Sequence, residues 1–319
     1  MTRVQWFIFL SWVKTQAPPV GAYSRASQIN RKKGVLSQDA LFYRPLLITY
    51  HLINTVIARI SLIILLAVLA SAAVRAECDL SLERTALKTL QRASVARVID
   101  GDTIRLEDNR LIRLIGINTP EIDHESGQSE PLAKHARDAL LDVISQSRNR
   151  IMLQVDEDLQ DHHGRWLAHA YNLNGVNIQA VLLQRGLGYW IAIAPNLKNM
   201  PCYRKQEQIA RDKGLGVWGL HYYQPQPVGD LTLNETGFRL VHGRIAAVHY
   251  SAQSIWLKFD TPDTGTNVAL RIQKSDLNYF DGQYVRQMQN KTVTARGWLY
   301  PYKGQMVMRV HHPAAMHLE

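Results

Sequence analysis

The chain has 319 residues, 46% of them hydrophobic and 20% charged, with a formal net charge of +10. That length suits one to three domains, but the charge is unevenly placed: residues 1–76 hold nine Lys/Arg against one acid, Asp39, while 77–319 hold 28 basic and 26 acidic groups. The high pI therefore does not argue for polyanion binding by the folded part, where long-range steering is modest. The two cysteines, with no CxxC, exclude the usual zinc spacings.

Residues 1–59 read as an N-terminal extension. It is too long for a signal-peptide n-region, so the natural start is expected near Val56, with the upstream text over-extended translation. A cytoplasmic extension is the other account. Residues 60–74, ISLIILLAVLASAAV, carry no charge and lie between Arg59 and Arg75. Their length matches a secretory h-region better than a spanning helix of roughly 20 residues. Cleavage after Ala76 would make Glu77 the first mature residue. An uncleaved anchor is the alternative, and residues 60–76 are the only expected membrane contact. Glu77 before Cys78 argues against a lipoprotein box. Cys78 and Cys202 are expected to pair in an oxidising compartment, worth about 4–5 kcal/mol in the chain-entropy model; two inert thiols are the alternative.

Residues 80–92 read as a short helix. Val98–Glu121, VIDGDTIRLEDNRLIRLIGINTPE, then reads as strand, turn, strand, turn, strand. Ile99, Ile104 and Leu106 alternate with polar residues, Asp100-Gly101 and Asp108-Asn109 supply turn chemistry, and Leu111–Ile117 is a third apolar strand carrying Arg113. Pro120 ends the ladder. One meander thus delivers Asp102, Glu121 and Arg113. Carboxylates and a guanidinium are what metal-assisted phosphoryl transfer needs: oxygens for a hard cation and a clamp for phosphate. Taken singly, each would more often be a turn residue, a solvated charge or a helix-start charge; their joint arrival changes the odds.

Glu130-Pro131 opens a helix with Leu132, Ala136, Ala139, Leu140 and Val143 on one face. Ile151–Val155 alternates as a strand, a charged loop ends in Gly164-Arg165, and Trp166–Leu173 returns as a strand. Val176–Arg185 reads as a helix, Leu187–Ile193 as extended, and Pro201–Lys213 as a helix closed by Gly214. The order is that of an α+β chain built on a five-stranded OB barrel with added helices. His162, His163 and His169 lack a ligand partner set and read as solvated.

VIDGDT, RLIGINTPE and HGRWLAHAY, in order and at suitable spacing, resemble the staphylococcal nuclease (thermonuclease) family over about residues 94–219. The resemblance implies an OB-fold enzyme that hydrolyses DNA, and RNA, with a divalent cation, calcium foremost and magnesium or manganese as options. It implies Asp102, Asn118 and the Thr119 carbonyl on the metal side, with Asp100 near the outer coordination sphere. It implies Glu121 as the carboxylate that positions or deprotonates the attacking water, and Arg113 and Arg165 as the phosphate-gripping pair. Two departures stand out. The family has Asp where this chain has Asn118, so one ligand charge is lost, and its Lys-Tyr pair before Gly-Arg is His162-His163 here. Its substrate-packing tyrosines have no clear match in GYWIAIAPN, where Tyr189 or Trp190 could offer a stacking face.

Residues 221–235, HYYQPQPVGDLTLNE, read as a linker to a second strand-rich domain over 236–319. Strands are expected at Phe238–Val248, Ser254–Phe259, Val268–Ile272, Lys291–Leu299 and Gln305–Val310, with a helix or irregular segment at 275–289 and a hairpin at Tyr302-Lys303-Gly304. Three strands, a helix and two strands again spell an OB-like barrel. Trp256, Trp298, Tyr300, Tyr302, Lys303 and Arg309 could make a stacking and phosphate-tracking surface; barrel packing is the competing account, ahead for Trp256. The expectation is an exported, monomeric nuclease, periplasmic or secreted, or membrane-anchored if 60–76 is retained. The rival is a catalytically weak or inactive nucleic-acid- or partner-binding protein of the cell envelope.

Overall fold

The computed structural model describes residues 88–125, 127–262 and 265–319. The extension, the apolar segment 60–76, Cys78 and most of the expected helix at 80–92 lie outside the described residues; its last two, Gln91 and Arg92, begin a strand.

The first barrel is built from β1 (Gln91–Val98), β2 (Thr103–Leu106), β3 (Leu111–Leu114), β5 (Arg150–Gln154) and β6 (Trp166–Tyr171). They close in the order β1-β2-β3-β6-β5. β1 pairs with β5 through its first half and with β2 through its second, with a register shift between Val95 and Arg97. A strand that changes partners at an irregularity is how a sheet closes on itself. β3 and β6 run parallel, so a crossover must join them. That crossover carries α1 (Ala133–Ser145), which buries Ala133, Ala136, Leu140, Val143 and Ile144 at helical spacing.

The expected strand Leu111–Ile117 is interrupted. Gly116 has φ 80°, and β4 (Ile117–Asn118) leaves the barrel to pair with β7 (Tyr189–Trp190). A Cβ on Gly116 would lie 2.4 Å from the Tyr203 ring, so only glycine fits both the bend and the packing. α2 (Ile178–Gln184) is capped by the Asn177 side chain, which accepts from Ala180 N. α3 (Met200–Asp212) ends at Gly214, whose φ is 60°, with Leu215 N donating to Ala210 O at 2.9 Å. Among the described residues no cysteine is free, and Cys202 on α3 is disulfide-bonded.

The segment read as a linker is packed instead. β8 (Gln226–Pro227) pairs with the next strand, Val228 and Leu231 join the second core, and Tyr223 is buried between the barrels. Its prolines hid three aliphatic and aromatic anchors that have partners only in the folded chain.

The second barrel comprises β9 (Gly237–Tyr250), β10 (Ser254–Phe259), β11 (Val268–Gln273), β12 (Thr292–Tyr302) and β13 (Gln305–Arg309), with α4 (Gly282–Gln287) between the third and fourth. β9 pairs with β10, β10 with β11, β11 with β13 in parallel, β13 with β12, and β12 back to β9. This is the strand order of the first barrel, so both have OB topology. β14 (Met316–Leu318) adds to β12 at the rim.

The barrels share an apolar seam of Tyr189, Ala210, Val217, Trp218, Tyr223 and Leu240, with Leu132 and Phe238 against it. Across it Arg296 on β12 meets Glu207 on α3 at 2.8 and 2.9 Å and donates to Trp190 O at 3.2 Å. Its guanidinium also lies 4.9 Å from the Trp190 ring centroid.

Candidate active site

The Asp100-Gly101 turn is pressed onto α1. A Cβ on Gly101 would come within 2.7 Å of both Ala136 Cβ and Thr119 Oγ1. Gly101 does not have a positive φ, so its role is close approach. This contact brings Asp102 to Thr119, 17 residues on.

Asp102 is 2% exposed. Its Oδ2 accepts from Thr119 N at 2.8 Å and Thr119 Oγ1 at 3.2 Å, and its Oδ1 accepts from Thr103 Oγ1 at 3.1 Å. Asp100 Oδ1 accepts from Asp102 N at 3.0 Å. Arg113 points inward from β3. Its Nη1 donates to Leu114 O and Ile117 O, both at 2.8 Å; its Nη2 donates to Asn118 Oδ1 at 3.1 Å and ion-pairs with Asp102 Oδ2 at 3.0 Å. One guanidinium therefore fixes the bend at Gly116 and ties Asp102 to Asn118.

Glu121 follows Pro120 at the rim. Its N–H donates to Glu130 Oε2 at 2.9 Å, and Glu130 N returns a bond to Glu121 O at 3.0 Å. The Glu121 carboxyl is pushed up to about 7, first by desolvation and then by the negative charges of Asp102 and Asp100, with Arg113 pulling the other way. The residue keeps a solvent-exposed face, so the surrounding protein mass, not enclosure, supplies that desolvation. Asp100 is pushed up to about 6 by burial and by Asp102.

Arg165 comes from the loop before β6. Asp161 organises that loop, accepting from His163 N at 2.9 Å, Arg165 N at 3.0 Å and Arg165 Nε at 2.7 Å. Burial works against the Asp161 carboxylate, but the bonds from Arg165 outweigh it and hold the group below its usual range.

These parts meet in one cleft of 730 Å³, lined by Arg113, Asn118, Glu121 and Arg165 together with His162 and His163. Its far wall comes from the second barrel: Trp298, Tyr300, Arg309 and His311. Glu130, Asp161 and His311 were missed as site residues: Glu130 meets Glu121 nine residues away, His311 reaches the cleft from the other barrel, and Asp161, whose partners are in its own loop, stands outside the recognised motifs. Tyr189 and Trp190 do not reach the cleft. They are 3% and 5% exposed, Tyr189 in the seam beside Trp218 and Phe238 and Trp190 in the first core under Arg296. A stacking role for either ring is thereby corrected: packing uses both. His169 is buried, not solvated, with Nδ1 2.7 Å from Tyr203 Oη.

The chain matches the family described as Staphylococcal nuclease homologue over residues 111–219. It is 31% identical to the Thermonuclease of Staphylococcus intermedius over 127 residues, which are 39% of this chain and 74% of that protein. The chain belongs to the staphylococcal nuclease family. The Micrococcal nuclease of Shigella flexneri is 30% identical over 40% of this chain and 73% of its own length. The SPbeta prophage-derived endonuclease YokF of Bacillus subtilis is 29% identical over 43% of this chain. The chain spans about half the length of that relative, 47%, and 65% of Endonuclease YncB from the same organism. The family match takes in Arg113, Asn118, Thr119, Glu121 and Arg165 and begins after Asp100 and Asp102.

Membership of the staphylococcal nuclease family implies a divalent cation, and the donors can be tested for it. Burial first, and then the negative charge of Asp102, raises the carboxyls of Asp100 and Glu121 against the opposing pull of Arg113; a cation would relieve that excess of negative charge. Among the described residues no three His, Cys, Asp or Glu side chains converge as a ligand set. A cation at this site would therefore need oxygens other than a carboxylate cluster, and the Asn118 amide oxygen, held beside Asp102 by Arg113, is a neutral donor of that kind.

Proposed function

We propose that the chain is an exported, metal-dependent nuclease that hydrolyses phosphodiester bonds of DNA, and also RNA. The observation that carries this reading is the convergence of Arg113, Glu121 and Arg165 on one cleft beside Asp102 and Asn118. The relatives' names, thermonuclease and endonuclease, support it. Attack of water on a phosphodiester adds negative charge to an anionic centre. Arg165, from a loop held by Asp161, offsets that charge at the cleft edge, and Arg113 does so from the floor. Glu121, its backbone fixed by Glu130, orients the water and takes its proton. The cation, calcium in this proposal, would be held by Asp102, Asn118 and Thr119, with Asp100 near its outer sphere, and would polarise the phosphate oxygen.

Export is supported by the uncharged run at 60–74 and by the disulfide at Cys202. No helix among the described residues is long and apolar enough to cross a membrane. A monomer is proposed.

The test is cleavage of single- and double-stranded DNA and RNA with calcium, magnesium, manganese or EDTA, beside Glu121→Gln. Cleavage that needs metal and is lost in the folded variant is expected. A folded wild type that binds nucleic acid and cleaves none with any metal would overturn the enzyme reading in favour of a binding protein.

A further inference from the structure

The second barrel does more than pack against the first. Along β12 the odd-numbered residues Val293, Ala295, Gly297 and Leu299 are buried, so Arg296, Trp298, Tyr300 and Tyr302 share its outward face. Arg296 is pinned to Glu207 and the Trp190 carbonyl of the first barrel. Strand rise then carries Trp298 about 7 Å and Tyr300 about 13 Å beyond that anchor. Both rings arrive at the cleft that holds Arg113, Glu121 and Arg165.

Trp298 is 37% exposed, although its ring has an edge-to-face contact with Phe238 at 5.1 Å. It is thus supported from one side and open on another. Arg309, on the same wall, is bound by Asp276 through Nε at 3.0 Å and Nη2 at 2.8 Å. Its charge is balanced, so the wall offers aromatic faces and not an unpaired cation. The other aromatics flagged in the sequence belong elsewhere. Trp256 and Tyr302 stack on each other at 6.1 Å with Arg271 over both, and neither lines the cleft.

We propose that Trp298 and Tyr300 are a stacking wall for an unpaired base next to the phosphate held by Arg113 and Arg165, which makes single-stranded segments the favoured substrate. The proposal rests on the nuclease reading for the phosphate position. Every base has a face that an aromatic ring can cover, whereas a base inside a duplex has both faces covered by its neighbours. The second barrel is then a substrate-selecting part of the nuclease site.

The test uses the full chain in a Glu121→Gln background, with labelled oligothymidine and a matched duplex followed by fluorescence anisotropy. Trp298→Ala and Tyr300→Ala should each weaken single-strand binding about tenfold and leave duplex binding within about twofold. Trp298→Phe should keep most of the affinity, which separates stacking from misfolding. In the active background the same substitutions should raise KM on single strands with kcat unchanged. Unaltered single-strand binding, equal loss on both substrates, or no single-strand binding by the parent would each overturn the wall. A wild type that cleaves while the ring variants behave like it would sink the wall and keep the nuclease. Ring-dependent binding by a chain that cleaves nothing would do the reverse.

Discussion

Replacing Arg296 by methionine should destabilise the protein by roughly 3–5 kcal/mol near neutral pH. The Arg296 and Glu207 side chains are 13% and 4% exposed, with the guanidinium 2.8 Å from the carboxylate. Methionine keeps much of the volume and removes the charge, leaving Glu207 buried with only the Trp190 N–H at 2.8 Å. Burial already pushes the Glu207 carboxyl upward, and Arg296 is the first of the groups that lower it. Without Arg296 the carboxyl rises further and takes up a proton sooner. A carboxyl raised on folding binds more protons in the native state, so its contribution is present below the unfolded value and lost as pH rises through the folded one. The deficit of the variant should therefore be smaller at pH 5 than at pH 8. Urea denaturation at both values measures it. Arg296→Met/Glu207→Gln should recover most of the loss, short of the cation–π contact with Trp190, worth about 1 kcal/mol. A single variant within about 1 kcal/mol of wild type, or a double variant no better than the single, would refute the reasoning.

Glu130→Ala removes the acceptor of the Glu121 N–H; kcat should fall about tenfold, and Glu130→Gln should restore it, as steady-state kinetics would show. Arg113→Ala should cost both turnover and stability, because the same guanidinium holds two backbone carbonyls at the Gly116 bend; a variant with wild-type denaturation and lowered kcat alone would contradict the structural half. His169 is held down to about 4 by burial, against the opposing pull of Asp156. Since its folded value is depressed below 6.5, the unfolded chain binds more protons between those values, and stability should fall by on the order of 3 kcal/mol as pH drops through that window. His169→Asn should flatten that slope; an unchanged slope in denaturant titrations would remove His169 as its source.

Both barrels were legible in the sequence because their signals are local. Alternation at Ile104–Leu106 and Ser254–Phe259, the turn residues at Asp108-Asn109 and Lys303-Gly304, and the helical spacing of Ala136, Leu140 and Val143 each depend on neighbours a few residues away. The candidate site was legible for the same reason: Asp102, Arg113, Asn118 and Glu121 come from one meander. Sequence missed the break at Gly116, where a tertiary contact with Tyr203 overrides an apolar run. It also could not choose among exposed-looking aromatics. Tyr189 and Trp190 are closed off by residues of β9 and β12, while Trp298 and Tyr300 are left facing the cleft. That choice is made by contacts such as Arg296 with Glu207, 89 residues apart. The chain by itself determined two OB barrels and brought a candidate set of charged groups onto one meander, since backbone preference and side-chain periodicity act over short range. Only the tertiary structure decided which surface of the second barrel completes the cleft, because burial and charge pairing depend on which distant strand arrives alongside.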